Sequence, residues 1–342
     1  MSTASDEVAG VPISSSEPLA AVSMAATEKS ATGSTDASDE IATVPATPVG
    51  KGFHSAAFWR RFAHLGAARG PRFFVRFAPP VIGLIFFVLL PAARRAITRN
   101  LRRIFGERDA WQESLDVART FQNFAACLTE SLGALRSESK RAHVHVRGAA
   151  RIDELLERKT GFVITTAHVG PWDGAAQALA KADGARVMIV MAREDDAGAE
   201  ALHDQVRGNI HVEVLRIGHH PLDALPALLH LQQGGIVALQ LDRVPTGSTS
   251  IETRLFDAPF FVPAGPFLLA GLARVPLVPV FSARTGFFSR RIEVGRAVSP
   301  PRRPTPAELE RLAAAAVAQM EEHIRVYPTQ WFHFGTEPHE GN

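Results

Sequence analysis

From Gly161 onward two hydrophobic periods alternate along the chain. The runs 162–167, 187–192, 212–217, 236–241, 275–282 and 291–298 are short, rich in Val, Ile and Phe, and bounded by Gly, Pro or charged residues, the pattern of strands. Between them, 174–182, 198–206, 222–233 and 265–273 carry apolar residues at helical spacing, and 107–135 does the same upstream. A last helix is predicted to start at Thr305-Pro306-Ala307-Glu308, where Thr caps, Pro fills the first turn and Glu completes a capping box. Strands alternating with helices predict an α/β core, a central and mostly parallel sheet flanked by helices on both sides.

The N-terminal third departs from this pattern twice. Residues 1–50 hold seven acids, one base and no Phe, Trp or Tyr, and 32 of them are Ala, Ser, Thr, Pro or Gly. Such a stretch buries too little apolar surface to offset chain entropy and is predicted to be a disordered acidic tail. Residues 51–105 invert the charge, with eleven Lys or Arg and no Asp or Glu. Within them 77–93 is uncharged, centred on Val81-Ile-Gly-Leu-Ile-Phe-Phe-Val-Leu-Leu90 and flanked by Arg76 on one side and Arg94, Arg95, Arg102 and Arg103 on the other. An apolar helix between cations suits insertion into one leaflet while the arginines meet anionic head groups; a buried core helix with a basic edge is the alternative. The expected division is therefore a tail (1–50), a basic apolar anchoring segment (51–105) and a catalytic domain (106–342).

Composition narrows the classes further. The single Cys127 excludes an internal disulfide framework and multi-cysteine metal sites. No apolar run reaches the roughly 18 residues of an ordinary span. His203, His211, His219 and His220 have no metal-ligand spacing, so no metal is expected. Phosphate-cradling glycine motifs are missing, so no nucleotide cofactor is expected. The arginines flank an aliphatic run instead of interleaving with aromatics, so nucleic acid is not an expected partner. Ser137-x-x-Lys140 and Lys159-Thr-Gly161 match two motifs of penicillin-recognising enzymes but lie too close together and lack the third.

The most informative stretch is Gly161-Phe-Val-Ile-Thr-Thr-Ala-His168-Val-Gly170-Pro-Trp172-Asp173. It reads as an apolar strand, a loop and a helix start, placing His168 at the carboxyl end of a strand, where open α/β sheets bind ligands. A turn through Gly170 and Pro171 could return the Asp173 carboxylate to the imidazole and make a general base. Equally, Asp173 could be only the N-cap of the helix beginning at Gly174 and His168 a satisfied loop histidine.

In context, the sequence resembles the lysophospholipid acyltransferase superfamily, and within it the late acyltransferases of lipid A biosynthesis, the lauroyl and myristoyl transferases. His168-Val-Gly170-Pro-Trp172-Asp173 is similar to that branch's His-x-Gly-Asn-Trp-Glu box, with Asp for Glu and Pro171 for Asn. Arg94-Arg-Ala-Ile-Thr-Arg-Asn-Leu101 with Ile104-Phe-Gly-Glu107 resembles the segment after the family's membrane helix. Gln240-Leu-Asp242-Arg243, Phe256-Asp-Ala-Pro259 and Pro263-Ala-Gly-Pro266 are similar to its later block, and Tyr327-Pro-Thr-Gln-Trp331 to its closing signature. The resemblance implies a glycerolipid acyltransferase-like fold, His168 as general base, Asp173 as its orienting carboxylate, and direct attack of a lipid hydroxyl on an acyl thioester. Acyl-carrier protein is the implied donor, with acyl-CoA second, and the acceptor is a lipid A precursor or a related lipid at the cytoplasmic face of a bacterial inner membrane. Asp242 and Arg243 fall where a cation could meet a phosphate, or form a surface ion pair; Gly170 and Trp172 read as shape beside the substrate. Pro171 and Asp173 mark a divergent member.

Overall fold

The computed structural model describes residues 72–132, 143–172, 179, 185–192, 212–218, 220–245 and 247–334. The expected tail (1–50), and the helices expected at 198–206 and over most of 174–182, lie outside them.

Two helices open the described chain, α1 (Arg72–Leu89) and α2 (Pro91–Phe105), followed by α3 (Ala110–Leu132). The apolar segment expected at 77–93 is thus split at Leu90, because Pro91 has no N–H to continue the ladder and instead starts α2. The two helices meet at 100°. Among the described residues no single helix is long and apolar enough to cross a membrane, and only this bent pair passes by length and composition together. Glycine lets α1 approach α3 closely, since a Cβ on Gly83 would lie 2.7 Å from the Phe121 carbonyl oxygen. Only part of α1 is covered by that packing. Val75 is buried, whereas Phe77, Val81, Ile85, Val88 and Leu89 form an exposed apolar face. In α2 the buried residues Ala96, Ile97, Asn100 and Leu101 make one stripe and the arginines the other.

The sheet is built from β1 (His143–Arg147), β2 (Phe162–Thr166), β3 (Val187–Ala192), β4 (Val212–Ile217), β5 (Ile236–Gln240), β8 (Leu277–Gly286) and β9 (Ser289–Val294), in the order β1-β9-β8-β2-β5-β3-β4. Every pairing is parallel except β8 with β9, so the expected mostly parallel α/β sheet is what forms. Strand alternation divides the core. Phe162, Ile164, Ile236, Ala238, Val278 and Val280 pack against Ile152 of α4 (Ala150–Glu157) on one face. On the other face Val163, Val237 and Leu277 pack against α5 (Leu225–Gln232), α6 (Gly265–Ala273) and α7 (Pro306–Val326).

Four strand readings at 162–167, 187–192, 212–217 and 236–241 agree with β2 to β5 to within a residue, and the helix at 265–273 matches α6. The capping box is present: Thr305 Oγ1 accepts from the Glu308 N–H, and the Glu308 carboxylate accepts from the Thr305 N–H. The strands expected at 275–282 and 291–298 are instead the two arms of one hairpin, turning at Phe287–Phe288. Phe288 adopts a positive φ of 48° there, which no propensity rule expects of an aromatic. A second hairpin, β6 (Ser250–Leu255) with β7 (Ala258–Pro263), was not anticipated. Its two turn residues, Phe256 and Asp257, both have positive φ, the backbone of a two-residue hairpin turn without the usual Asn-Gly.

Candidate active site

β2 lies mid-sheet between β8 and β5, and its chain leaves the sheet at Ala167. His168 follows immediately, at the carboxyl edge where the sequence placed it. On the neighbouring strand the register pairs Thr166 with Gln240, and the Leu241 N–H donates to the Thr166 carbonyl at 2.7 Å. Two parallel strands in that register bring the residues just past their ends together: His168 and Asp242.

The contact is twofold. His168 Nδ1 lies 2.9 Å from Asp242 Oδ1, and the His168 backbone N–H donates to Asp242 Oδ2 at 3.0 Å. The indole Nε1–H of Trp331 donates to the same Oδ2 at 3.3 Å. Asp242 is 1% exposed. Burial by itself raises its carboxyl, but the facing charge and hydrogen bond of His168, together with His333 and Arg243, outweigh that and hold it well below the usual carboxylate range. An ionised carboxylate only accepts, so Nδ1 carries the proton that faces Asp242, and Nε2 is the nitrogen left to exchange a proton. The His168 side chain keeps 11% of its surface exposed while that of Asp242 keeps none.

These contacts replace the surface ion pair considered for Asp242, which is buried. The carboxylate partner of His168 in the described residues is 74 positions away, in the block read as substrate-binding; Asp173 lies outside the described residues. Nothing in local spacing could have supplied that partner, since only the β2–β5 register does.

Gly170 and Trp172, expected to shape the site, both lie beside the histidine. Gly170 has φ +55°, and a Cβ there would come 2.5 Å from the Ser282 carbonyl oxygen. Trp172 sits with its ring centre 5.5 Å from that of His168 and stacks on Phe124 at 6.5 Å. From Phe124 the aromatic contacts continue through Phe334 and Phe121 to Phe87 on α1, each step within 6.1 Å. An unbroken apolar path therefore joins the histidine to the helix with the exposed face.

The closing segment builds the wall of the site, a role the sequence left unassigned. Val169 and Trp331 form an antiparallel bridge, the Phe332 N–H donates to the His168 carbonyl at 2.8 Å, and the Gly170 N–H donates to the Gln330 carbonyl at 2.9 Å. Arg243, exposed at the edge, donates to the Phe332 carbonyl at 2.9 Å. His333 stacks on Trp331 at 5.4 Å, and burial is the main reason its imidazole is held below its ordinary value. Asn100 of α2 donates to the His333 carbonyl at 2.6 Å, tying the basic helix to the same segment.

Of the four arginines expected at a membrane, Arg102 pairs with Glu113 of α3 at 2.5 Å and Arg94 lies over the Phe87 ring at 5.3 Å. Among the described residues no group of three His, Cys, Asp or Glu is placed to hold a metal ion.

Comparison with curated proteins gives no match. The model of the bacterial lipid A biosynthesis acyltransferases matches residues 55–336, and the chain belongs to that acyltransferase family.

Proposed function

We propose that this acyltransferase moves a fatty acyl chain from an acyl thioester to a hydroxyl of a lipid A precursor, with His168 as general base and Asp242 as its orienting carboxylate. The observation that carries the reading is the Nδ1 to Asp242 hydrogen bond at the carboxyl edge of the sheet, which leaves Nε2 as the ring's lone-pair nitrogen. In this reaction Nε2 takes the hydroxyl proton as the oxygen attacks the thioester carbonyl, and Asp242 stabilises the imidazolium. The tetrahedral adduct collapses, the C–S bond breaks, and the imidazolium returns its proton to the leaving thiolate. No acyl-enzyme is needed, and Cys127, buried with its thiol pushed up chiefly by burial, is unsuited to form one.

The donor in this reading is acyl-carrier protein, with acyl-CoA as the alternative. The protein sits on the cytoplasmic face of the inner membrane, the exposed face of α1 entering the apolar layer and the arginines of α2 meeting anionic head groups. The packing of the aromatic rings from Phe87 to Trp172 supports this, because it couples the helix with the exposed apolar face to the residues beside His168. Arg243, beside the base, suits a phosphate of the acceptor or of the donor's pantetheine arm.

Lipid mass spectrometry of the native host, with the protein, without it, and with His168→Ala, tests the reaction. Loss of one acyl chain from lipid A in both altered strains is expected; a chain that survives His168→Ala ends the mechanism. For the membrane reading, replacing Arg94, Arg95, Arg102 and Arg103 by Gln is expected to weaken binding to anionic vesicles most visibly near 0.1 M salt, where the Debye length is about 10 Å. Binding unchanged by the replacement would return the segment to a core role.

A further inference from the structure

We infer that Trp331 is a positioning residue for the base: its indole N–H completes a three-donor cage on Asp242 that keeps His168 in the Nδ1–H form. The inference rests on the general-base reading above, but its subject is a side chain that touches neither substrate nor the reacting atoms.

Asp242 has one oxygen on the His168 ring and the other, Oδ2, taking both the His168 backbone N–H and the Trp331 indole. A carboxylate held only by the two His168 donors could rotate about its Cβ–Cγ bond with the loop that carries them. The indole comes from a different part of the chain, so it fixes the carboxylate plane against an independent frame.

That frame is rigid for a stated reason. Gln330, the preceding residue, clasps the backbone of Arg284 at the end of β8, its Nε2 donating to the Arg284 carbonyl at 2.9 Å and its Oε1 accepting the Arg284 N–H at 2.8 Å. The guanidinium of Arg284 is in turn held by the buried Glu130 of α3 at 2.8 Å. On the other side the Gln330 carbonyl takes the Gly170 N–H, and Ser282 Oγ donates to the Pro171 carbonyl at 2.7 Å. Trp331 is thus fastened to the sheet through β8 and to the histidine loop through Gly170, and its ring is 2% exposed. A tryptophan used only as filling would not need its one polar atom on the carboxylate.

The experiment is nitrogen NMR of protein carrying ¹⁵N-histidine, which reads the tautomer of each ring without any substrate, with His168→Ala used to identify the His168 signals. The unmodified protein is expected to show His168 in the single Nδ1–H form. Trp331→Phe, which keeps an aromatic ring and removes the donor, is expected to show both tautomers in exchange and about a tenfold lower kcat with an acyl-carrier-protein thioester and a lipid A precursor. Trp111→Phe, at an exposed position on α3, is expected to change neither. A Trp331→Phe protein with the tautomer intact overturns the inference whatever its rate, and so does a scrambled tautomer with unchanged kcat. Should Trp331→Phe not fold, the indole N–H resonance of otherwise native protein is expected to move in Asp242→Asn; an unmoved resonance counts against the cage. Transfer that survives His168→Ala, with the tautomer still lost in Trp331→Phe, would end the general-base reading and leave the cage standing.

Discussion

Among the described residues, two histidine–carboxylate pairs share the same close Nδ1 contact and differ in which partner is buried. In each, Nδ1 lies 2.9 Å from a carboxylate oxygen, in His168 with Asp242 and in His323 of α7 with Glu293 of β9. At the first pair the carboxylate is sealed and the ring keeps 11% of its surface open. At the second the ring is 2% exposed, while Glu293 keeps 26%. His323 is stacked on Phe281 at 5.5 Å and its Nε2 is buried with no hydrogen-bond partner. A base must present its free nitrogen to a substrate, so the second pair has the hydrogen bond of a catalytic dyad and none of its access. What separates them is which partner the fold hides. At the edge of the parallel sheet the loop leaves part of the largely buried His168 ring open and the carboxylate is sealed behind it; on α7 the helix face that carries His323 is the one packed on the sheet.

The largest effect that could break this comparison is on turnover. His168→Ala is expected to lower transfer by about 10³-fold, within the range of a lost general base. His323→Ala should leave kcat within about threefold and instead cost about 2–3 kcal/mol of folding stability, since it opens a hole against Phe281 and orphans Glu293. Steady-state rates and urea unfolding of both variants separate these outcomes, and equal losses of turnover would erase the distinction drawn from burial. One step smaller, Asp242→Asn is expected to lower kcat about 10²-fold, because an amide no longer fixes the Nδ1–H form nor stabilises the imidazolium. Glu293→Gln, made in parallel, should leave kcat unchanged. A Glu293→Gln protein as slow as Asp242→Asn would mean that the α7 pair feeds into the site through Tyr327 and the closing segment.

These contrasts also mark what was legible in the sequence. The strand 162–167 and its exit were readable because six apolar or β-branched residues followed by His-x-Gly-Pro leave few other backbones, so the histidine's place at the sheet edge was available from one dimension. Its contact with Asp242 was not. Asp173, the partner expected from the motif, lies outside the described residues, and Asp242 reaches the ring through the β2–β5 register, a relation between two strands that periodicity does not encode. The hairpins at Phe256–Asp257 and Phe287–Phe288 were missed for a related reason: the positive φ values fall on aromatic and acidic residues and are imposed by packing, with Phe256 in the core and its N–H held by Glu321 at 2.7 Å. Residues 327–332 could be matched to a signature, but a motif read as a string gives no hint that one of its residues hydrogen-bonds the Asp242 carboxylate and the next one the histidine's backbone.

The smallest expected effect is on the pH dependence of stability, where the same two carboxylates can be compared without substrate. Both are held below their ordinary values, 3.8 for the aspartate and 4.5 for the glutamate. Burial works against Asp242 but is outweighed by its partners, while for Glu293 the hydrogen bond from His323 is the main cause. A folded value below the unfolded one means that the unfolded chain binds the proton first as pH falls. Each carboxylate therefore contributes stability that is complete above its ordinary value and is lost as pH drops through its folded value. Exposure to water screens Glu293, so its share is discounted, and the sealed Asp242 should carry the steeper acid limb. His333, held below 6.5 mainly by burial, also loses stability as pH falls; the Asp242 charge raises that imidazole, so the His333 loss is larger in Asp242→Asn than in Glu293→Gln and works against the flattening expected there. Urea midpoints measured from pH 6 to about 3 are expected to fall less steeply in Asp242→Asn than in the parent below pH 4, with Glu293→Gln close to the parent. Equal flattening in the two variants would show that burying the carboxylate is not what sets the histidine site apart from its twin on α7.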